Sequence, residues 1–159
     1  MARVRGWSTT EDLASPAAQW HGVRQPFEGR LKTHSAWLAL AGRKEVLAQR
    51  VWNGQVAALF PLLERHRRDL LNSHRGFLHV PWSTLYGRTI VEIEDLEFSH
   101  IADQLRLQNL EHLRPVYDFV YWLRAIRNDL AHLNCVSPQR LLEPTFQSRM
   151  DQFTTNEDE

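Results

Sequence analysis

The sequence holds one cysteine, Cys135, so no internal disulfide can form. A reducing, cytoplasmic compartment fits that usage best. No run reaches about 18 apolar residues, and Met1 to Trp20 is polar and broken. Neither a membrane span nor a secretory leader is therefore expected. No fixed-period repeat is present. There is also no net charge, because 19 cationic residues balance 19 anionic ones. A general polyanion binder is usually strongly basic, so that class is disfavoured, although a local basic site is not. Lysine is scarce: 17 of the 19 cationic residues are arginine. Two explanations stay open. One is codon bias in a GC-rich genome, with the charges serving solvation. The other is phosphate contact through the planar donor fork of Arg.

What is present is apolar material. Of 159 residues, 43% are hydrophobic, enough for one domain with one core. Residues 1–32 read as an irregular arm or linker, broken by Gly6, Pro16, Gly22, Pro26 and Gly29, with a short helix expected near Ser15–Trp20. Residues 33–153 form the helical domain, and 154–159 an acidic tail. A long helix, or two in line, is expected from Thr33 to Asn72. Its stripe runs through Val46, Leu47, Val51, Ala57, Ala58, Leu62 and Leu63, widened by Trp52, Val56, Leu59 and Phe60. Pro61 should kink it. Arg65, Arg67 and Arg68 are read as a solvated helix end, with nucleic-acid contact as the alternative. Residues 73–93 form a longer loop or small hairpin, in which Phe77–Val80 and Thr89–Val91 are the extended pieces. Trp82 and Tyr86 there either pin the loop to the core or stack on bases.

A second helix is expected over Ile93–Leu107, with Leu96, Ile101 and Leu105 inward. A third, ending near Leu133, buries Val116, Phe119, Val120, Leu123, Ile126, Leu130 and Leu133. Pro115 suits its first turn. A last helix runs from Ser137–Pro138 to about Phe153, interrupted at Pro144. The fold class is all-α, a bundle of about four to five helices.

Two constellations carry chemistry. Glu97-Phe98-Ser99-His100 puts a carboxylate and an imidazole on one helix face. Paired copies of that spacing build di-metal sites, but there is a single copy and no further ligand set, so no metal and no cofactor is expected. It reads instead as an acidic helix start followed by a His that finds a partner. Cys135 reads as a small buried residue rather than a nucleophile.

The stronger constellation is Arg124-Ala125-Ile126-Arg127-Asn128-Asp129-Leu130-Ala131-His132. At about 100° per residue, Arg124, Asn128 and His132 share one helix face, with Arg127 beside it. Such residues suit phosphodiester cleavage. His acts as acid or base near neutral pH, and a fixed guanidinium stabilises charge on the phosphate oxygens. Asn orients the imidazole or holds a phosphate oxygen. One His cannot be base and acid at the same moment, so this chemistry calls for two chains about a two-fold axis. The structural alternative is that Arg127 pairs with an acid, Asn128 caps a neighbour and His132 merely ends the helix.

Arg127-Asn128-Asp129-Leu130-Ala131-His132 resembles the Arg-polar-x-x-x-His motif of the HEPN superfamily (higher eukaryotes and prokaryotes nucleotide-binding). The resemblance covers six residues, late in the third or fourth helix of an all-α domain. It implies a metal-independent endoribonuclease with RNA as substrate and a homodimeric site. It places Arg127 and His132 in catalysis, with Asn128 supporting; Arg124, on the same face, is assigned to substrate binding. Toxin–antitoxin or anti-phage defence is the implied setting, with an antitoxin or sensor subunit as a possible partner. The alternative is a non-catalytic HEPN-like nucleotide-binding or protein-interaction module.

Overall fold

A computed structural model describes residues 23–27, 29–84 and 87–152. The short helix expected near 15–20, Tyr86 and the acidic tail lie outside those residues. Six α-helices and four short strands are found among the described residues, so the chain is all-α. They divide into two compact units, one ending at Val51 and one beginning at Trp52. No described helix is long and apolar enough to cross a membrane.

The first unit holds a hairpin where an irregular arm was expected. Strand β1 (Arg24–Phe27) pairs antiparallel with β2 (Arg30–Thr33). Gly29, at φ 69°, supplies the positive φ that so tight a turn requires. Helix α1 (Ser35–Leu40) follows, capped by His34, whose Nδ1 accepts the Ala36 N–H at 3.1 Å. Arg50 donates to the Thr33 carbonyl at 2.6 Å and to Ser35 Oγ at 3.1 Å.

Helix α2 (Lys44–Ser73) runs through Pro61 without interruption, and the unit boundary falls within it. Its buried residues are Leu59, Leu63, His66, Leu70 and Leu71, with Trp52, Val56 and Leu62 packed against them. Trp52, Val56, Leu59, Leu63, His66 and Leu70 make one stripe at helical spacing. Of the expected stripe, Trp52, Val56, Leu59, Leu62 and Leu63 face the core, whereas Val51, Ala57, Ala58 and Phe60 are exposed. Arg67 is not at a helix end. It donates to both carboxylate oxygens of Glu64, at 3.0 and 2.6 Å, and to the carbonyls of Glu94 and Leu96.

The segment after α2 opens with a 3-10 turn, Arg75–Phe77, which takes the first residue of the extended piece expected over Phe77–Val80, and Leu78 follows with extended backbone. The small hairpin exists, but its first strand is β3 (Trp82–Ser83), paired with β4 (Thr89–Ile90). Trp82 packs against the core, as an anchor would. Buried Gln104 holds the loop by pairing with both backbone groups of His79.

A 3-10 turn at Ile93–Asp95 precedes helix α3 (Phe98–Gln108), which begins later than expected and ends at Asn109 in the left-handed region. Leu96, Ile101 and Leu105 are buried as expected. Helix α4 (Arg114–Ala131) starts with Pro115 in its first turn and packs against α3. Val116, Phe119, Val120, Leu123, Ile126 and Leu130 form its core face. Leu133 does not belong to that face: it is 68% exposed, at φ 61°, past the helix end. Two short helices close the unit, α5 (Pro138–Leu141) and α6 (Pro144–Gln152), separated before Pro144 as its missing N–H demands.

Candidate functional site

Arg124, Arg127 and Asn128 stand on one side of α4 and line a cleft of about 230 Å³. Ile126 and Leu130, both fully buried, fix the helix rotation that turns these polar side chains outward. The opposite wall is the start of α3: Glu97, Phe98, Ser99 and His100. Sequence reasoning had weighed Glu97 and His100 as a separate constellation. The fold brings them to the motif.

Donors dominate the lining. Among the described residues, neither the Arg124 guanidinium nor the Asn128 amide has a hydrogen-bond or ion-pair partner. Arg127 is partly engaged: its Nη2 lies 3.6 Å from Glu97 Oε2, with the two side chains 39% and 51% exposed. An exposed pair at that separation is weak and easily exchanged for another anion. That part of the structural alternative, Arg127 beside an acid, is present. Asn128 caps nothing among the described residues.

His100 is held on one side only. Its Nδ1 accepts the Glu97 backbone N–H at 3.0 Å, so the expectation of a His that finds a partner is met. Burial holds its imidazole below the usual histidine range, and the Arg88 and Arg124 cations act the same way against the carboxylates of Glu97 and Asp103. The ring is therefore neutral at pH 7.

His132 is not part of the cleft lining. It is the C-cap of α4, one turn beyond Asn128, exposed, with no bond to its imidazole among the described residues. Its backbone is fixed. The His132 N–H reaches the carbonyls of Asn128 and Asp129, Leu133 N–H that of Leu130, and Asn134 N–H that of Asp129 at 2.9 Å. This is a Schellman ending, with Leu133 in the position glycine usually takes. Asp129 faces away and meets Arg140 at 3.4 Å.

Two further residues, invisible as site residues in the sequence, hold this ending to α2. Trp52 Nε1 donates to the Leu130 carbonyl at 2.8 Å. Gln55 pairs with both backbone groups of Val136, at 2.9 and 2.8 Å. The signal for them is only that Trp and Gln punctuate the stripe at the helix pitch.

Two other features bear on the chemistry. Cys135 is half-buried rather than buried. No group of three or more metal-ligating side chains occurs among the described residues. A larger cleft, about 370 Å³, opens near the α3–α4 junction. Its cations, Arg106 and Arg114, are matched by Glu111 and Asp118, and it holds none of the motif residues. The smaller cleft is the better candidate because its donors outnumber its acceptors. No protein-family model, curated protein or solved structure matches the chain.

Proposed function

We propose that this chain is a HEPN-like, metal-independent endoribonuclease of the cytoplasm, working as a homodimer. Its setting would be a toxin–antitoxin or anti-phage defence system, with an antitoxin or sensor subunit as regulator. One observation carries the reading: Arg124, Arg127 and Asn128 share a donor-rich cleft, and an exposed His132, its imidazole unbonded among the described residues, follows one helical turn later. Anion-binding groups beside a free imidazole suit phosphoryl chemistry.

In the proposed reaction, the imidazole of His132 takes the proton of an RNA 2′-hydroxyl. The 2′-oxygen attacks the adjacent phosphorus, and the bond from phosphorus to the 5′-oxygen breaks. The leaving oxygen takes a proton from the imidazolium of the partner's His132. The products are a 2′,3′-cyclic phosphate and a 5′-hydroxyl. Arg127 stabilises charge on the phosphate oxygens as the new bond forms, leaving Glu97 for the substrate. Arg124 binds the strand and Asn128 steadies the phosphate.

Purified protein incubated with mixed RNAs in excess chelator should generate cyclic phosphate ends, read by mass spectrometry. Arg127→Ala and His132→Ala should each lower the rate by about 100-fold or more while melting like the parent. Cleavage undiminished in both variants would overturn the assignment. A second reading, a nucleotide-binding module without catalysis, is favoured by the position of His132 outside the cleft lining. It predicts binding of RNA with no cyclic phosphate formed.

A further inference from the structure

The bond from the Glu97 N–H to His100 Nδ1 decides more than a cap. A ring nitrogen that accepts a hydrogen bond carries no proton, so the neutral ring has its hydrogen on Nε2. Protonating Nδ1 would set one N–H against another. His100 is thus unsuited to act as a base, because the nitrogen left free is already protonated. It is equally unsuited to act as an acid, since losing that proton would leave an imidazolate. What remains is a fixed, uncharged donor. Among the described residues nothing accepts from Nε2, and His100 lines the same cleft as Arg124 and Asn128.

We propose that His100 is a phosphate-binding residue, donating Nε2–H to a non-bridging oxygen of an RNA phosphodiester whose charge is met by Arg124. His132 lies eight residues beyond Arg124, about 12 Å along the helix axis, farther than one phosphate spans. The group held by His100 and Arg124 is therefore a phosphate flanking the reacting one. A flanking contact is made equally in the ground and transition states, so its loss raises KM and leaves kcat in place. This assignment rests on RNA being the substrate, but its binding test needs no cleavage.

The test uses a single-stranded oligonucleotide with 2′-O-methyl groups, which cannot be cut, together with three substitutions. His100→Glu keeps an acceptor for the Glu97 N–H, because Glu at the third helix position closes a capping box, but it removes the donor and adds an anion. It should melt near the parent and bind at least about tenfold more weakly, as expected for a hydrogen bond to a charged group. His100→Gln restores both acceptor and donor and should recover affinity to within about threefold. His100→Ala loses the cap and the donor together, and its melting temperature reports the structural share. Imidazole-nitrogen NMR on the parent should show a neutral ring protonated at Nε2 at pH 7.

Unchanged affinity in His100→Glu, or a ring protonated at Nδ1, overturns the proposal even if the protein cleaves RNA. Loss of affinity in His100→Glu with no cleavage by the parent sustains the phosphate site and overturns the ribonuclease reading. Failure of the parent to bind the oligonucleotide overturns both.

Discussion

Replacing His66 with leucine should stabilise this protein and remove part of its acid sensitivity. His66 is 1% exposed, in the centre of the α2 stripe. Among the described residues, neither ring nitrogen has a hydrogen-bond partner. Its ring meets Phe119 edge-on, with centroids 5.6 Å apart and planes at 88°. A buried polar group left without a partner costs about 1–3 kcal/mol, and leucine would not incur that penalty. The lost ring contact gives back about 0.5–1 kcal/mol. The net expectation is a gain of up to about 2.5 kcal/mol, or of up to roughly 10 °C in Tm.

The pH dependence has a definite sign. Burial, then the Arg65 cation, holds the His66 imidazole below its ordinary value of 6.5, against the carboxylates of Asp69 and Asp151. The unfolded chain therefore binds protons first as pH falls. Stability is fully present above about pH 6.5 and is lost between there and the lowered folded value, by at most about 1.4 kcal/mol per pH unit. His100 is lowered too and adds to the same slope. Urea denaturation from about pH 5.5 to 7.5 should show a shallower slope in His66→Leu, and shallower still with His100→Gln added. A His66→Leu protein less stable than the parent by 1 kcal/mol or so, or one with the parental slope, would refute this account of the buried ring.

Two other outcomes concern the ending of α4. Gln55→Met should orphan the N–H and C=O of buried Val136 and lower stability by about 2 kcal/mol or more, with hydrogen exchange at Val136 losing its protection. Leu133→Gly should raise stability by about 0.5–1 kcal/mol in denaturant titration, because relief of the left-handed strain exceeds the entropy that glycine adds.

The sequence made the α4 core face readable because six apolar residues recur at the helix pitch with no competing pattern. It misled at Leu133 for a local reason. The chain leaves the helix at His132 by a Schellman turn, and neither glycine nor proline marks the place. On α2 the failure was one of residue type. A search for apolar periodicity skips His66, and without it Val51, Ala57 and Ala58 compete for the frame. The first hairpin was missed because its strands are polar and four residues each, too short to show alternation. Arg67 looked like one of three cations near a helix end, while its partners include the carbonyls of Glu94 and Leu96, 27 and 29 residues away. The motif residues were legible as a helix face. That Glu97 and His100 form the opposite wall was not, since nothing in the local pattern says which helices become neighbours.

Both walls of the cleft are hung from α2, and by side chains that bear no chemistry. Trp52 holds the Leu130 carbonyl, and Gln55 holds Val136 on the far side of His132. Four helical turns along, Arg67 holds the carbonyls of Glu94 and Leu96, just before Glu97 begins α3. Arg67 is itself positioned by bonds to both Glu64 carboxylate oxygens, which also keep the Glu64 carboxyl below the usual range. Each bond to a wall ends on backbone, so it fixes a main-chain position regardless of which side chains the walls present. A scaffold of that kind separates two tasks. Arg124, Arg127, Asn128, His100 and His132 are free to face an anion because none of them is needed to hold the helices together. Among the described residues, Arg124, Asn128 and His132 have no side-chain partner, Arg127 meets only the exposed Glu97 carboxylate, and His100 leaves Nε2 open, as a binding surface requires.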